Sequence, residues 1–108
     1  MSIISRIFAL AFCVPIVVIA QGPSDIRISG SDTLEPLVES AVAQFKKSHA
    51  NTNVSLEAKG TSTGINLLCD NRTDVAMASR PITLKEAGAC KSKGVNFIEM
   101  PVAWDAVV

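Results

Sequence analysis

Short stretches of period-two alternation are separated by stretches of helical period, and this alternation constrains the fold of the chain more than any other feature. "DIRIS" (Asp25 to Ser29) and "VSLEAK" (Val54 to Lys59) alternate polar and apolar residues, and "TDVAMAS" (Thr73 to Ser79) supplies a third strand-like run. Between the first two, Leu34, Leu37, Val38, Ala41, Val42 and Phe45 recur at helical spacing, with Glu35, Glu39, Gln44, Lys46 and Lys47 mostly opposite. That pattern predicts an amphipathic helix with an N-cap at Asp32 or Thr33, Pro36 tolerated in its first turn and lysines at its last. "INLLCDN" predicts a second, short helix carrying Ile65, Leu68 and Cys69 inward. "TLKE" (Thr83 to Glu86) has capping-box spacing for a third helix ending at Gly94. "VNFIEMPVAWDAVV" then resumes extended character. Strands alternating with helices connect by right-handed crossovers, so the expected fold class is α/β, a mostly parallel sheet flanked by helices.

Length allows one small domain or part of one, at 108 residues. The opening "MSIISRIFALAFCVPIVVIA" places a single cation, Arg6, before an apolar run that ends in small residues. It reads as a secretory signal peptide over residues 1–20, with residues 21–108 exported. A retained anchor helix is the alternative, since the run has borderline spanning length. Ten Lys and Arg balance ten Asp and Glu, and loss of Arg6 with a leader tips the remainder one charge towards acidic. That excludes the basic excess of a nucleic-acid partner. Membrane contact is expected only through the leader.

Export leaves Cys69 and Cys90 in a compartment where disulfides persist, and a bridge between them is the natural pairing, with two separate buried thiols as the alternative. One histidine and two well-separated cysteines offer no closely spaced ligand pair, so no metal is assigned, and no cofactor is implied.

Three loops should share the carboxyl edge of such a sheet, where open α/β folds hold their ligands: "GSDTLE", "GTSTG" and "ASRP". All three carry hydroxyls, and the first two lead into helix N-termini, which present unpaired N–H groups and partial positive charge to an oxyanion. Thr33, Thr61, Ser62 and Ser79 are candidate hydroxyl donors, Arg80 a candidate guanidinium fork, and Gly60 and Gly64 would let backbone approach closely. Taken singly, Thr33, Ser62 or Thr63, and Thr83 could instead merely cap helices.

Gly60-Thr61-Ser62-Thr63-Gly64 also fits the G-x-S-x-G pattern of a nucleophile elbow, but that chemistry needs a histidine base downstream. The only histidine, His49, lies upstream at a helix end, so no catalytic residue is assigned and no enzyme is expected.

The ordered set "GSDTLEPL", "GTSTGI", "TDVAMASRPI" and "VNFIEMPVAWDAVV", spanning Ile28 to Val108, resembles the N-terminal part of the periplasmic phosphate-binding proteins that serve ABC transporters. The resemblance implies a periplasmic-binding-protein-like lobe of a two-lobed, hinge-closing receptor, periplasmic or secreted, with an ABC permease as partner. It implies that phosphate is held mainly by neutral dipoles: the Thr33 hydroxyl, the Leu34 N–H, the Thr61 hydroxyl where many relatives have serine, Ser79 and Arg80. It also suggests a disulfide-bearing subgroup.

Two departures accompany it. Family members often carry an aspartate directly after the serine of the third loop, to accept a hydrogen bond from protonated phosphate. Arg80 stands there instead, which leaves the rejection of sulfate without its usual repulsive element. A full receptor is also several times longer, so the second lobe is expected to be absent. A second reading follows from that length: a truncated or vestigial fragment that binds no ligand and pairs through exposed strand edges with another chain.

Overall fold

The computed structural model describes residues 25–104, so the expected leader lies outside the described residues. Strand β1 (Asp25–Gly30) runs parallel to β2 (Asn53–Ala58) on one side and to β3 (Val75–Met77) on the other, giving the order β2-β1-β3. The register pairs Ile28 with Leu56 and with Val75. Helix α1 (Glu35–Ser48) connects β1 to β2, α2 (Thr61–Cys69) connects β2 to β3, and α3 (Leu84–Ser92) follows β3. The first crossover steps to one side of β1 and the second steps back past it, so right-handed connections place α1 and α2 on opposite faces. The expected α/β architecture with a parallel sheet is present.

Local chemistry explains the boundaries. In β2 the alternation is visible as burial, with Val54, Leu56 and Ala58 half-buried and Asn53, Ser55 and Glu57 exposed. Helix α1 begins later than the sequence suggests: Asp32–Leu34 closes a 3-10 turn through Leu34 N–H to Ser31 O, and Leu34 rather than Asp32 or Thr33 occupies the cap. Pro36 and the terminal Lys46 and Lys47 fall where expected. Helix α2 begins earlier, because Gly60, at φ 85°, turns the chain and Gly64 N–H opens the helical ladder on Gly60 O. Thr61 to Gly64 are therefore the first turn of a helix rather than a loop before one.

Strand β3 is shorter than the expected run. Met77 O accepts from Ser31 N–H, and Ser79 N–H turns to the Thr61 hydroxyl, so the chain leaves the ladder after Met77. At the other end, Asp74 N–H donates to Arg27 O, and the Asp74 carboxylate accepts from the Arg27 backbone and guanidinium at 2.8 to 3.1 Å. The α3 capping box forms as the spacing predicts, with Glu86 N–H donating to Thr83 Oγ1 and Thr83 N–H to the Glu86 carboxylate.

The compact centre lies between α2 and α3, where Ile65, Cys69 and Cys90 are buried and Ile82, Val95 and Phe97 pack against them. A Cys69–Cys90 disulfide joins the two helices with their Cα atoms 4.3 Å apart. Residues 95–104, read from the sequence as extended, form no regular strand, and none of them pairs in the sheet. Val95 and Phe97 pack inward, whereas Ile98, Met100, Val102 and Trp104 are exposed. Pro101 removes one backbone donor from any ladder there.

Candidate anion-binding site

Backbone bonds draw the three loops to one edge. Gly30 O, at the end of β1, accepts from both Lys59 N–H and Gly60 N–H, and Ser31 N–H holds Met77 O at 2.9 Å. Helix α2 sits so tightly over this junction that a Cβ on Gly64 would lie 2.6 Å from Gly30 Cα and from Ser29 O. Gly64 therefore serves helix–strand contact. Gly60, where a Cβ would meet nothing, is the glycine that shapes the turn.

Four of the candidate residues form two adjacent hydrogen-bonded pairs, each joining the first turn of α2 to the loop after β3. Thr61 Oγ1 lies 3.0 Å from Ser79 Oγ and accepts from Ser79 N–H at 3.1 Å. One of the two hydroxyls donates to the other, so the pair retains a single hydroxyl hydrogen for a ligand. Ser62 Oγ accepts from Arg80 Nη2 at 3.1 Å, which engages an acceptor site by a cation and leaves the Ser62 O–H free to donate. The N–H groups of Thr61, Ser62 and Thr63 precede the first helical bond of α2 and add backbone donors with partial positive charge.

Arg80 does not present the open fork expected from sequence. Nη1 and Nη2 donate to the two oxygens of Glu86 at 3.0 and 2.8 Å, and Nη1 also donates to Pro81 O. Arg80 thus orients Ser62 and lends it charge. Glu86 is the residue that sequence reasoning missed at this site: capping-box spacing predicted its bond to Thr83 but carried no sign of its pairing with Arg80. The Arg80 hydrogen bonds, followed by those from Thr83, hold the Glu86 carboxyl at a pKa of about 2. Glu99 was missed as well; its carboxylate accepts from Ile82 N–H at 3.0 Å and ties the segment after Arg80 to the chain that follows α3.

Thr33 and Leu34 lie in the 3-10 turn that follows β1, at the same sheet edge, and make no hydrogen bond to the Thr61 cluster. Leu34 N–H is engaged with Ser31 O at 3.3 Å. His49 caps the far end of α1, stacked on Phe45 with ring centroids 4.1 Å apart, and its ring nitrogen faces Ser48 and Phe45 O. It has no part in the Ser62 cluster. A separate cleft of about 240 Å³ opens against β1 and β2 between Arg27, Ser29, Ser55, Glu57 and Arg72, and includes none of the candidate residues.

Residues 18–108 match the family model for the PBP superfamily domain. The chain belongs to the PBP superfamily. Among relatives of this PBP-superfamily chain, Protein SphX of Synechocystis sp. is 35% identical over 94% of the chain and 29% of its own length. The phosphate-binding protein PstS of Staphylococcus saprophyticus is 31% identical over 81% of the chain and 27% of its own. A solved structure described as a possible phosphate binding protein from Planctomyces limnophilus superposes with a TM-score of 0.68 at 31% identity, over 72% of this chain and 28% of that one. The chain thus spans less than a third of the length of each of these relatives.

Proposed function

We propose that this chain is an exported solute-binding protein whose carboxyl-edge cluster takes inorganic phosphate non-covalently, in the service of ABC-type uptake. The observation that carries this reading is the Thr61–Ser79–Ser62–Arg80 cluster, hydroxyls and a cation brought together from the first turn of α2 and the loop after β3, in a superfamily whose relatives include proteins named for phosphate binding. Ser62 and one hydroxyl of the Thr61–Ser79 pair donate hydrogens, α2 donates backbone N–H groups, and Arg80 supplies positive charge through Ser62. Thr33 adds a hydroxyl from the 3-10 turn after β1, at the same sheet edge. The Leu34 N–H, held by a 3.3 Å bond at the long limit of the usual range, is the turn's donor most readily redirected to an anion. No bond is made or broken, so the protein is a carrier and not an enzyme, with no cofactor and no nucleic-acid partner. Its place is the periplasm or the extracellular side, with removal of residues 1–20 on export and an ABC permease as the receiving partner.

Isothermal titration of the purified chain with phosphate, with circular dichroism to verify folding, tests this reading. Saturable heat that is weakened by Arg80→Ala at unchanged helical signal is expected. A folded chain that gives no heat would instead favour the second reading, an interaction fragment. One observation supports that alternative: the exposed row Ile98, Met100, Val102 and Trp104 offers apolar area to another chain.

A further inference from the structure

We infer that the cleft between α2 and β2 is a second ligand site, separate from the carboxyl edge, and that it takes a small organic monocarboxylate. Parallel register puts Arg27 beside Ser55 and Ser29 beside Glu57, so these four side chains share one face of the sheet. The cleft, of about 240 Å³, opens on this face between Leu67 of α2 and the β2 side chains. That volume equals the share of about eight waters at ~30 Å³ each, which suits an organic ion of similar atom count.

The walls set the charge of the occupant. Two of the cations lining the cleft are already paired, Arg27 with Asp74 and Lys59 with Glu57. Arg72, the third, pairs with no carboxylate among the described residues. Its place is fixed by the end of α2, where Asn71 turns the chain at φ 60° and Arg72 N–H donates to Leu67 O at 2.8 Å. One uncommitted guanidinium calls for one negative charge, and its planar fork matches the two oxygens of a carboxylate. Glu57 disfavours a second negative charge. The floor gives an independent reason for a ligand. Ser29 is 3% exposed and its hydroxyl has no partner among the described residues, whereas the equally buried Thr73 hydroxyl donates to Arg27 O at 2.8 Å. Buried hydroxyls are normally paired, so Ser29 keeps a hydrogen bond that folding leaves unmade and a ligand oxygen can complete. Leu67, half-buried, adds an apolar wall that an organic ion uses and an inorganic anion does not.

Benzoate is the probe, titrated into the purified, isotopically labelled chain and followed by amide chemical shifts, with benzyl alcohol as the uncharged control. Saturable shifts are expected at Arg27 to Ser29, Ser55 to Lys59 and Leu67 to Thr73, unaltered by added phosphate, with benzyl alcohol weaker by about tenfold or more. Arg72→Ala should weaken benzoate by a similar factor while its circular dichroism and its phosphate titration match the wild type. Ser29→Ala should weaken benzoate too, yet raise the melting temperature of the ligand-free chain by removing the unpaired hydroxyl. Unchanged benzoate affinity in either variant, an equal response to benzyl alcohol, or no saturation of a folded chain would overturn the inference. Benzoate shifts centred on Thr61, Ser62, Ser79 and Arg80, or displacement of benzoate by phosphate, would overturn it by showing a single anion site at the carboxyl edge.

Discussion

Arg80 and Glu86, six positions apart, meet as a two-point fork, with guanidinium nitrogens 3.0 and 2.8 Å from the two carboxylate oxygens. The pair closes the loop after β3 onto the first turn of α3. Because Nη2 also reaches Ser62, it joins that loop to α2. A single guanidinium thus ties together three elements that are separate in sequence, and the loop geometry should follow the charge state of Glu86.

That dependence sets a pH response. Glu86 ordinarily titrates near 4.5 and is held at about 2 here, first by the Arg80 hydrogen bonds. The folded chain binds the proton less readily than the unfolded one, so the contribution of the pair is fully present above pH 4.5 and is lost as pH falls towards 2. Asp74, held low by its hydrogen bonds from Arg27, adds a loss of the same sign. Thermal melts of the wild type should show midpoints falling across this acid window. Glu86→Gln, whose amide oxygen still accepts from Thr83, should start lower and fall less steeply. Parallel curves for the two proteins would show that the fork carries no stabilisation.

Two glycines on adjacent helices should respond oppositely to alanine. A Cβ on Gly64 would meet backbone at 2.6 Å on two atoms, neither of which can rotate away, whereas a Cβ on Gly88 meets nothing within 4 Å. Gly64→Ala should cost about 1–3 kcal/mol by forcing α2 off β1. Gly88→Ala should stabilise by about 0.5–1 kcal/mol, because glycine is the poorer helix former in the interior of α3. Urea unfolding midpoints measure both. A tolerated Gly64→Ala would mean that α2 does not rest on the Gly30 backbone.

The contrast between these glycines marks what the sequence could and could not show. Among the described residues, period and punctuation located the three strands, the three α-helices and the α3 capping box, because burial alternation and caps are local properties of neighbouring residues. The start of α2 was displaced because Thr61, Ser62 and Thr63 have loop-like composition, and only the Gly64 contact with Gly30 reveals that they are already helical. The hydroxyl loops of the site were legible as residue types at the ends of strands. The role of Arg80 was not, since its orientation depends on Glu86, whose place beside it is set by the path of the chain through Pro81 and Ile82. The row from Ile98 to Trp104 read as extended for the same reason: alternation signals a strand only where another strand lies alongside to pair with it.

The disulfide should be a measurable part of stability. It joins residues 21 apart, and a loop of that size gives about 3 kcal/mol in the chain-entropy account. Cys90 is fully buried and Cys69 nearly so, so the bridge also occupies the centre of the small α2–α3 core. The double variant Cys69→Ala, Cys90→Ala should lower the urea midpoint by an amount near this figure, and reductant should leave that variant unaffected while destabilising the wild type. Equal stability of the two proteins would mean that the bridge adds nothing to the stability of the fold.

The shared hydrogen of Thr61 and Ser79 makes the last prediction, which concerns additivity. In the wild type one hydroxyl of the pair donates to the other, leaving one donor for the anion. Ser79→Ala frees the Thr61 hydrogen for the ligand, so phosphate affinity should change little. Thr61→Val likewise frees the Ser79 hydrogen, but it also strips the acceptor from Ser79 N–H and loosens the loop. The intermediate loss expected there should exceed that of Ser79→Ala. Removing both hydroxyls eliminates the donor altogether, and a hydrogen bond to a charged group contributes about 1.5–3 kcal/mol. The double variant should therefore lose more affinity than the sum of the two single losses, giving a coupling energy measurable by titration across the four proteins. Strict additivity would mean that the two hydroxyls contact the anion independently and that the 3.0 Å contact between them opens when ligand binds.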